Sequence, residues 1–412
     1  MQKIKTGIFS SILLLSLISI NFWGIHTEVK ASSKTISVTI DKKHFPDSKF
    51  RKYVKKSFDV NKDGVLSKKE IAKIKKVQLF PSIHDKVSLK GIEYFTQLED
   101  LTIIYAKYLD VSKNTNLKRL YCISCSLMNL NLSENKKLEY LNCAMNQLTS
   151  IDLSNNKNLN YLDCGANQLT NIDLSNNNNL KYLDCFSNNL TTIILSKDSK
   201  IRVMRVAYNH LKQLSVHNLK YLETLDCYTN QLEQLDVSGA KNLSYLDCNY
   251  NQISSLSIKE NAKLKSLYCS TNKLTEIDLT YNTNLTDLNC NSNQLTSIDL
   301  SNNKKLKVLY CNINNLTNLD IGVNQNIISL RCSKNKITSL DLTTLSKLKY
   351  LHCERNNLTE LNVSNNTKLK SLRCKKNQIT KLDFSNNSRV NLWNLTYDKS
   401  VIIIPPTTPI ED

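Results

Sequence analysis

From Leu98 onward the apolar residues return at fixed places in a 21-residue unit, L-x-x-L-x-C-x-x-N-x-L-T-x-[LI]-D-[LV]-S-x-N-x-x. One copy is Leu138, Leu141, Cys143, Asn146, Leu148, Ile151, Leu153 and Asn156. In Leu141-Asn142-Cys143 the apolar positions alternate, which predicts a short strand with Leu and Cys facing inward. Cysteines fall at 122, 143, 164, 185, 227, 248, 269, 290, 311, 332, 353 and 374, always one unit apart except where Val206 takes the slot; Leu395 continues the series. An upstream copy (Leu98, Leu101, Ile103) is two residues short and reads as a degenerate first coil. A unit this small cannot bury its apolar face alone, so the units must stack. The pattern predicts parallel strands along a concave face. It leaves no room for full helices on the convex side, only turns or short 3-10 segments.

Composition sharpens this picture of a leucine-rich repeat solenoid. Asparagine occurs 53 times, 51 of them after residue 110, whereas glycine occurs 7 times. So little glycine disfavours phosphate-cradling loops. The asparagines at 146, 167, 188, 209 and 230, and so on to 377, sit three residues after the inward cysteine slot, where an amide can satisfy backbone groups of neighbouring coils. Asn135, Asn156, Asn177, Asn261 and Asn282 occupy turn positions. The N-L-T triplets are by-products of the repeat. Twelve cysteines share one inward slot, so they are expected to pack as a reduced ladder of small apolar side chains. Cys122 and Cys125 also form C-x-x-C, but Cys125 falls in the asparagine slot and no histidine or second pair completes a zinc set.

The repeat resembles bacterial leucine-rich repeat proteins of the internalin type, most of all those whose second inward leucine is replaced by a stacked cysteine. The resemblance covers residues 91 to about 395. It implies a secreted or surface-attached bacterial protein that binds another macromolecule, most often a protein. Those relatives usually carry a wall-sorting signal or wall-binding modules. Residues 404–412, Ile-Pro-Pro-Thr-Thr-Pro-Ile-Glu-Asp, carry neither, so covalent surface attachment is not expected.

Met1 to Ala31 reads as a signal peptide: Lys3 and Lys5, an apolar run from Gly7 to Ile25, and Val29-Lys30-Ala31 before the cut. The alternative is an uncleaved membrane anchor, since the run approaches the length of a span. Removing the segment takes away three lysines and one glutamate and lowers the formal charge from +19 to +17. Export disfavours nucleic acid as a partner and makes anionic cell-wall polymers or a cell-surface glycoconjugate better matches for that charge. No transmembrane anchor is expected after cleavage.

Residues 32–90 are predicted to form a small α-helical cap; 91–395 is the array and 396–412 a C-terminal cap and tail. Within the N-terminal cap, residues 59–70 read D-V-N-K-D-G-V-L-S-K-K-E. This fits D-x-[DN]-x-[DN]-G-x5-E at every specified position and resembles an EF-hand or dockerin-type calcium loop. Asp59, Asn61 and Asp63 offer side-chain oxygens, Val65 its carbonyl, Ser67 a water site and Glu70 a bidentate carboxylate, while Gly64 permits the turn. Calcium is the one cofactor expected. The alternative is a helical cap that keeps the hand shape without the ion.

No catalytic arrangement is legible. The histidines (26, 44, 84, 210, 217 and 352) form no metal or nucleophile pairing, and no G-x-S-x-G occurs, so the chain is not expected to be an enzyme. Binding is expected on the concave face. Its N-terminal half presents Tyr140, Tyr161, Tyr182, Phe186, Tyr228 and Tyr245 beside Asp163, Asp184, Asp226 and Asp247. Its C-terminal end presents Arg331, Lys334, Arg355, Arg373, Lys375 and Lys376. Exposed rings at such spacing mark binding surfaces, although stacked tyrosines also support a sheet on their own. Two functions fit: a binding protein that docks a macromolecule, or a wall-associated structural protein held by its positive charge alone.

Overall fold

The computed structural model describes residues 37–217, 219–390 and 395–407. The expected signal peptide and the last five residues of the tail lie outside them. Sixteen strands form one parallel sheet that runs through the array coil by coil, from Lys76–Leu79 at one edge to Leu395–Thr396 at the other. Within the array most of these strands are three residues long, such as Tyr161–Asp163 and Tyr182–Asp184, and equivalent residues of successive coils pair in register. Behind the sheet the inward Leu, Ile, Val and Cys side chains form one continuous apolar core. The convex side is turns, with short two-stranded parallel pairs such as Asn171–Leu174 with Thr192–Leu195. Among the described residues the only 3-10 helix is Ile92–Tyr94.

The coil is closed by a corner that the sequence pattern does not announce. Two residues past the cysteine slot, twelve non-glycine residues from Met145 to Lys376 adopt φ between 52° and 63°. Left-handed backbone costs about 1–2 kcal/mol per non-glycine residue, and the set includes β-branched Thr229, Thr271 and Ile313. The next residue offsets that cost. Asn251 Nδ2 donates to the carbonyl of Cys248 in its own coil and to that of Cys227 in the preceding one, both at 3.1 Å. Its Oδ1 accepts from Leu232 N of the preceding coil at 2.9 Å. The same pattern repeats along the column, for example at Asn188 and Asn293. The expected asparagine ladder is therefore present. Cys125 fills its slot in an early coil, where Sγ accepts from Ala106 N at 3.3 Å.

The asparagines expected at turns form a second, deeper ladder. Asn135, Asn261 and Asn282 are fully buried, as are Asn156 and Asn303, and Asn177 nearly so. Each Nδ2 bridges two carbonyls of the preceding coil, as Asn282 does with Ile258 and Asn261, both at 3.0 Å. The Oδ1 atoms of this ladder accept no hydrogen bond. Leu219, Ala240 and Leu345 occupy equivalent places, so the slot tolerates an apolar group.

All thirteen cysteines are free and buried. Burial holds thiols such as Cys143, Cys269 and Cys353 far above their ordinary range, and that of Cys332 is pushed up to about 12. Cys164 and Cys185 share a thiol–thiol hydrogen bond at 3.3 Å between sulfurs, with no disulfide between them.

The N-terminal cap is mixed rather than all helical. It runs β1 (Val38–Thr39), α1 (Ser48–Phe58), β2 (Val65–Leu66), α2 (Lys68–Ile71) and β3 (Lys76–Leu79). Asp47 caps α1 by accepting from Lys49 N and Phe50 N, and its other oxygen accepts from Ser88 N. Phe45, Phe50 and Phe95 close the end of the core with ring centroids 5.9–6.2 Å apart. Gly91 has φ 108°, and a Cβ there would lie 2.5 Å from the Phe45 ring, so no other residue fits. β3 already pairs with Asp100–Ile104 in the large sheet. The sheet thus starts inside the segment assigned to the cap, because Val77 faces the core as the array leucines do.

Asn251→Ala leaves two carbonyls and one amide of the coil corner unpaired and should cost about 3 kcal/mol. Asn282→Leu removes only two donations in a slot that already takes leucine, so it should shift the urea midpoint less; the reverse order would refute the distinction between the ladders. Thiol labelling should find thirteen groups after denaturation without reductant and few before it, whereas a count near one would mean disulfides. Cys269→Ser places a hydroxyl in the apolar stack and should cost about 1–3 kcal/mol.

Candidate functional site

The concave face is built from the outward residues of the three-residue strands, so each repeat position becomes a column running across coils. Three places before the cysteine, Tyr140, Tyr161 and Tyr182 are paired in register. Their rings stack face to face, with centroids 4.0 Å apart between Tyr140 and Tyr161 and 4.4 Å between Tyr161 and Tyr182. Tyr121 extends the stack at 4.5 Å from a diagonal position. Because each inner ring covers its neighbour's faces, the stack presents ring edges, and the Tyr182 hydroxyl donates to Asp184 Oδ2 at 3.2 Å. Burial pushes the hydroxyls of Tyr140 and Tyr182 upward.

One place before the cysteine lies the acidic column. Asp163, Asp184, Asp226 and Asp247 are all half-buried, with Arg205 in register between Asp184 and Asp226. Burial, then the neighbouring Asp184, raises the carboxyl of Asp163; Asp247 is raised by burial. Asp226 is raised to about 6 by burial and by the adjacent Asp247, and its Oδ1 has no hydrogen-bond partner. Arg205 shows what this floor accommodates. Its guanidinium lies 3.8 Å from Asp184 Oδ2, donates to Tyr182 Oη at 3.0 Å, and sits 5.8 Å from the Tyr182 ring centroid.

The far wall comes from the corner residues. Phe186 and Tyr228 flank the cysteine slot, and Tyr208 bridges them edge to face at 5.2 and 5.1 Å. Tyr245 stands opposite and contacts Tyr268 at 5.6 Å. The N-terminal group thus forms one trough, with a carboxylate floor and aromatic walls. Tyr208 and Arg205 belong to it although they stand in the coil that lacks the cysteine. Tyr121 belongs to it from the acid column of an earlier coil.

The basic residues do not converge on that trough. Arg331 and Arg373 lie in the floor column several coils away, with His352 in register between them. Arg331 packs over the Tyr310 ring at 4.5 Å. Burial, then the two arginines, lowers His352 to about 4. Lys334, Arg355 and Lys376 occupy left-handed corner positions, and Lys375 stands beside Lys376. All six cations are exposed. They form a second, separate region of positive potential.

In the cap, Asp59, Asn61, Asp63, Val65, Ser67 and Glu70 lie on one stretch that runs from the end of α1 into the first turn of α2, where Glu70 sits, and this loop carries a tight turn at Gly64, φ 80°. Glu70 is engaged within the protein: Oε2 accepts from Ser67 N and Oγ at 2.8 Å, and Oε1 accepts from Val60 N at 2.8 Å. Among the described residues no three Asp, Glu, His or Cys side chains are arranged as a ready-made metal cage. No described helix is long and apolar enough to cross a membrane.

A family profile described as leucine-rich repeats (2 copies) matches residues 136–176. The functional domain of InlJ from Listeria monocytogenes, described as including a cysteine ladder, is 33% identical; the match covers 86% of this chain and 79% of that one at a TM-score of 0.74. A leucine-rich repeat protein of Leptospira interrogans is 24% identical over 76% of this chain and 92% of its own, TM-score 0.65. The internalin InlF of Listeria monocytogenes is 21% identical over 89% and 99%, TM-score 0.61. The last two share the fold alone. No curated protein sequence matches the chain.

The acidic floor makes a pH prediction. A carboxyl raised from about 4 to about 6 on folding favours the folded state below the lower value and loses that contribution as pH rises through the upper one. Asp226→Asn should therefore raise the melting temperature at pH 7.5, with the gain shrinking between pH 6 and 4. An equal gain at pH 7.5 and pH 4 would show that ionisation of Asp226 does not act on stability.

Proposed function

This chain belongs to the internalin-like leucine-rich repeat family, and from that premise we propose that it is an exported, non-catalytic protein that binds a protein ligand in its concave face. The cap is read as a single EF-hand-like module that closes the N-terminal end of the array. The observation that carries the binding reading is the trough. Three half-buried carboxyls that burial raises, Asp163, Asp226 and Asp247, are held beside a run of aromatic rings at a cost in stability that packing does not require. Local breaches of good packing chemistry are expected where a surface serves a ligand.

The trough also has the reach that docking needs. A stable interface covers about 800 Å² on each side, more than one coil offers, so the ligand must span several strands. Rings such as Phe186 and Tyr228 bury area at small entropy cost and should set the dissociation rate. The exposed cations from Arg331 to Lys376 should draw an acidic part of the partner from a distance. A surface held by charge alone would instead lose everything in moderate salt.

The test is surface-plasmon kinetics with the captured partner at two salt levels. Phe186→Ala or Tyr182→Ala should speed dissociation at both. Reversing Arg373 and Lys376 to Glu should slow association at low salt and matter less as salt rises. Unchanged kinetics in both sets would move the site to the convex side or the cap, and retention by anionic wall polymer that moderate salt abolishes would favour the structural role.

A further inference from the structure

The cap loop holds a buried charge that the protein itself leaves incomplete. Asp59 is only 5% exposed. Its Oδ2 accepts from Gly64 N at 3.1 Å, while Oδ1 is enclosed and has no partner. A buried carboxylate oxygen is normally paired, and an unpaired one costs the full desolvation of that atom. Charge placement points the same way. Between residues 48 and 79 the chain carries eleven Lys and Arg but only three acids, Asp59, Asp63 and Glu70, and all three lie on this loop. Elsewhere in the cap Asp41, Asp47 and Asp85 are already engaged, with His44, the start of α1 and Lys49, whereas these three acids share one short stretch.

The remaining oxygens face the same turn. Asn61 Nδ2 donates to Asp63 Oδ2 at 2.7 Å, and Asp63 Oδ1 accepts from Val65 N at 2.8 Å, which draws both side chains over the loop. The loop is also pinned from outside: β1 pairs antiparallel with β2, Val38 opposite Leu66 and Thr39 opposite Val65, and Ile40 N donates to Gly64 O at 2.9 Å. The strand that follows the expected export signal thus braces the turn. Hard, all-oxygen donors on a turn of this size suit a divalent cation of calcium's radius, whereas magnesium demands stricter octahedral geometry.

We propose that this loop is a calcium site in which Asp59 Oδ1 is the waiting ligand and Glu70 is the switch. Without the ion, Glu70 caps α2 through Ser67 and closes the loop through Val60 N. With the ion, the Glu70 carboxylate exchanges its hydrogen bonds to Ser67 for coordination, joining Asp59, Asn61, Asp63 and the Val65 carbonyl. The exchange of one set of contacts for another keeps affinity modest, in the range of extracellular calcium modules. Because β1 is bonded to the same turn, loading also fastens the first strand of the cap.

Isothermal titration of the exported full chain with calcium alone tests this, with magnesium as control. One calcium should bind with a dissociation constant of about 10⁻⁴–10⁻³ M, and amide-exchange protection at Thr39 and Ile40 should rise with it. Glu70→Gln is the informative variant: its amide oxygen can still accept from Ser67, but its NH2 cannot accept from Val60 N and the negative charge at the ion is gone. In chelator it should melt a few degrees below the parent, and the gap should widen in calcium, because it should bind calcium at least tenfold more weakly and lose the calcium-dependent protection of β1. No calcium binding by the parent at millimolar concentration, or equal binding by Glu70→Gln, would overturn the proposal.

Discussion

One carboxamide per coil does the work on which the stacking depends. The chain must reverse direction directly after each three-residue strand, and it does so through a left-handed residue that is never glycine along the column from Met145 to Lys376. The asparagine that follows ties that corner to its own strand and to the coil before it. Its three hydrogen bonds offset a backbone cost of about 1–2 kcal/mol. This explains how a chain with 7 glycines builds so many tight turns. It also explains why corner side chains as different as Tyr208, Lys334 and Ile313 are tolerated: the corner is held from the next residue, so the corner residue itself is left to face solvent.

That division of labour frees the concave surface to vary. Leucine and cysteine keep the strand in place from behind, and asparagine keeps the turn in place from the side. The outward columns can then change from rings and carboxylates near Tyr161 to arginines near Arg373 without disturbing the register. The aspartate column is the place where the surface runs furthest against stability, since burial raises Asp163, Asp226 and Asp247, with repulsion from a neighbouring aspartate adding to it at Asp163 and Asp226.

Much of this was legible in the sequence, for a physical reason: a strict 21-residue period fixes which residues share a column. The solenoid, the inward cysteines and the first asparagine ladder follow from spacing alone. Spacing is silent about contacts that cross columns. Tyr121 joins the tyrosine stack diagonally, and Tyr208 and Arg205 enter the trough from a coil whose cysteine is replaced by Val206. Spacing is equally silent about the depth of the asparagines at turn positions, because a turn residue in a stacked coil is covered by the coil before it. The start of the sheet at β3 was hidden because that strand lacks the repeat's leucine spacing. In the cap, the 59–70 stretch carries two overlapping patterns, the calcium-loop spacing and the Ser67-x-x-Glu70 of a capping box, and spacing does not say which of them Glu70 serves.

The deeper asparagine ladder has a gap. Between Asn177 and Asn261 its place is taken by the irregular turn at Ser199, by Leu219 and by Ala240, so three successive coils lack the amide bridges that bind their neighbours on the convex side. Main chain stands in for side chain there: Asn171–Leu174 pairs with Thr192–Leu195, and Gln213–Ser215 with Gln234–Asp236. Coils behind the trough are therefore tied by backbone strands, whose hydrogen bonds do not depend on which side chain a turn carries. The convex turns of this stretch can change sequence without breaking a tie between coils, a freedom that the amide-bridged turns on either side do not have.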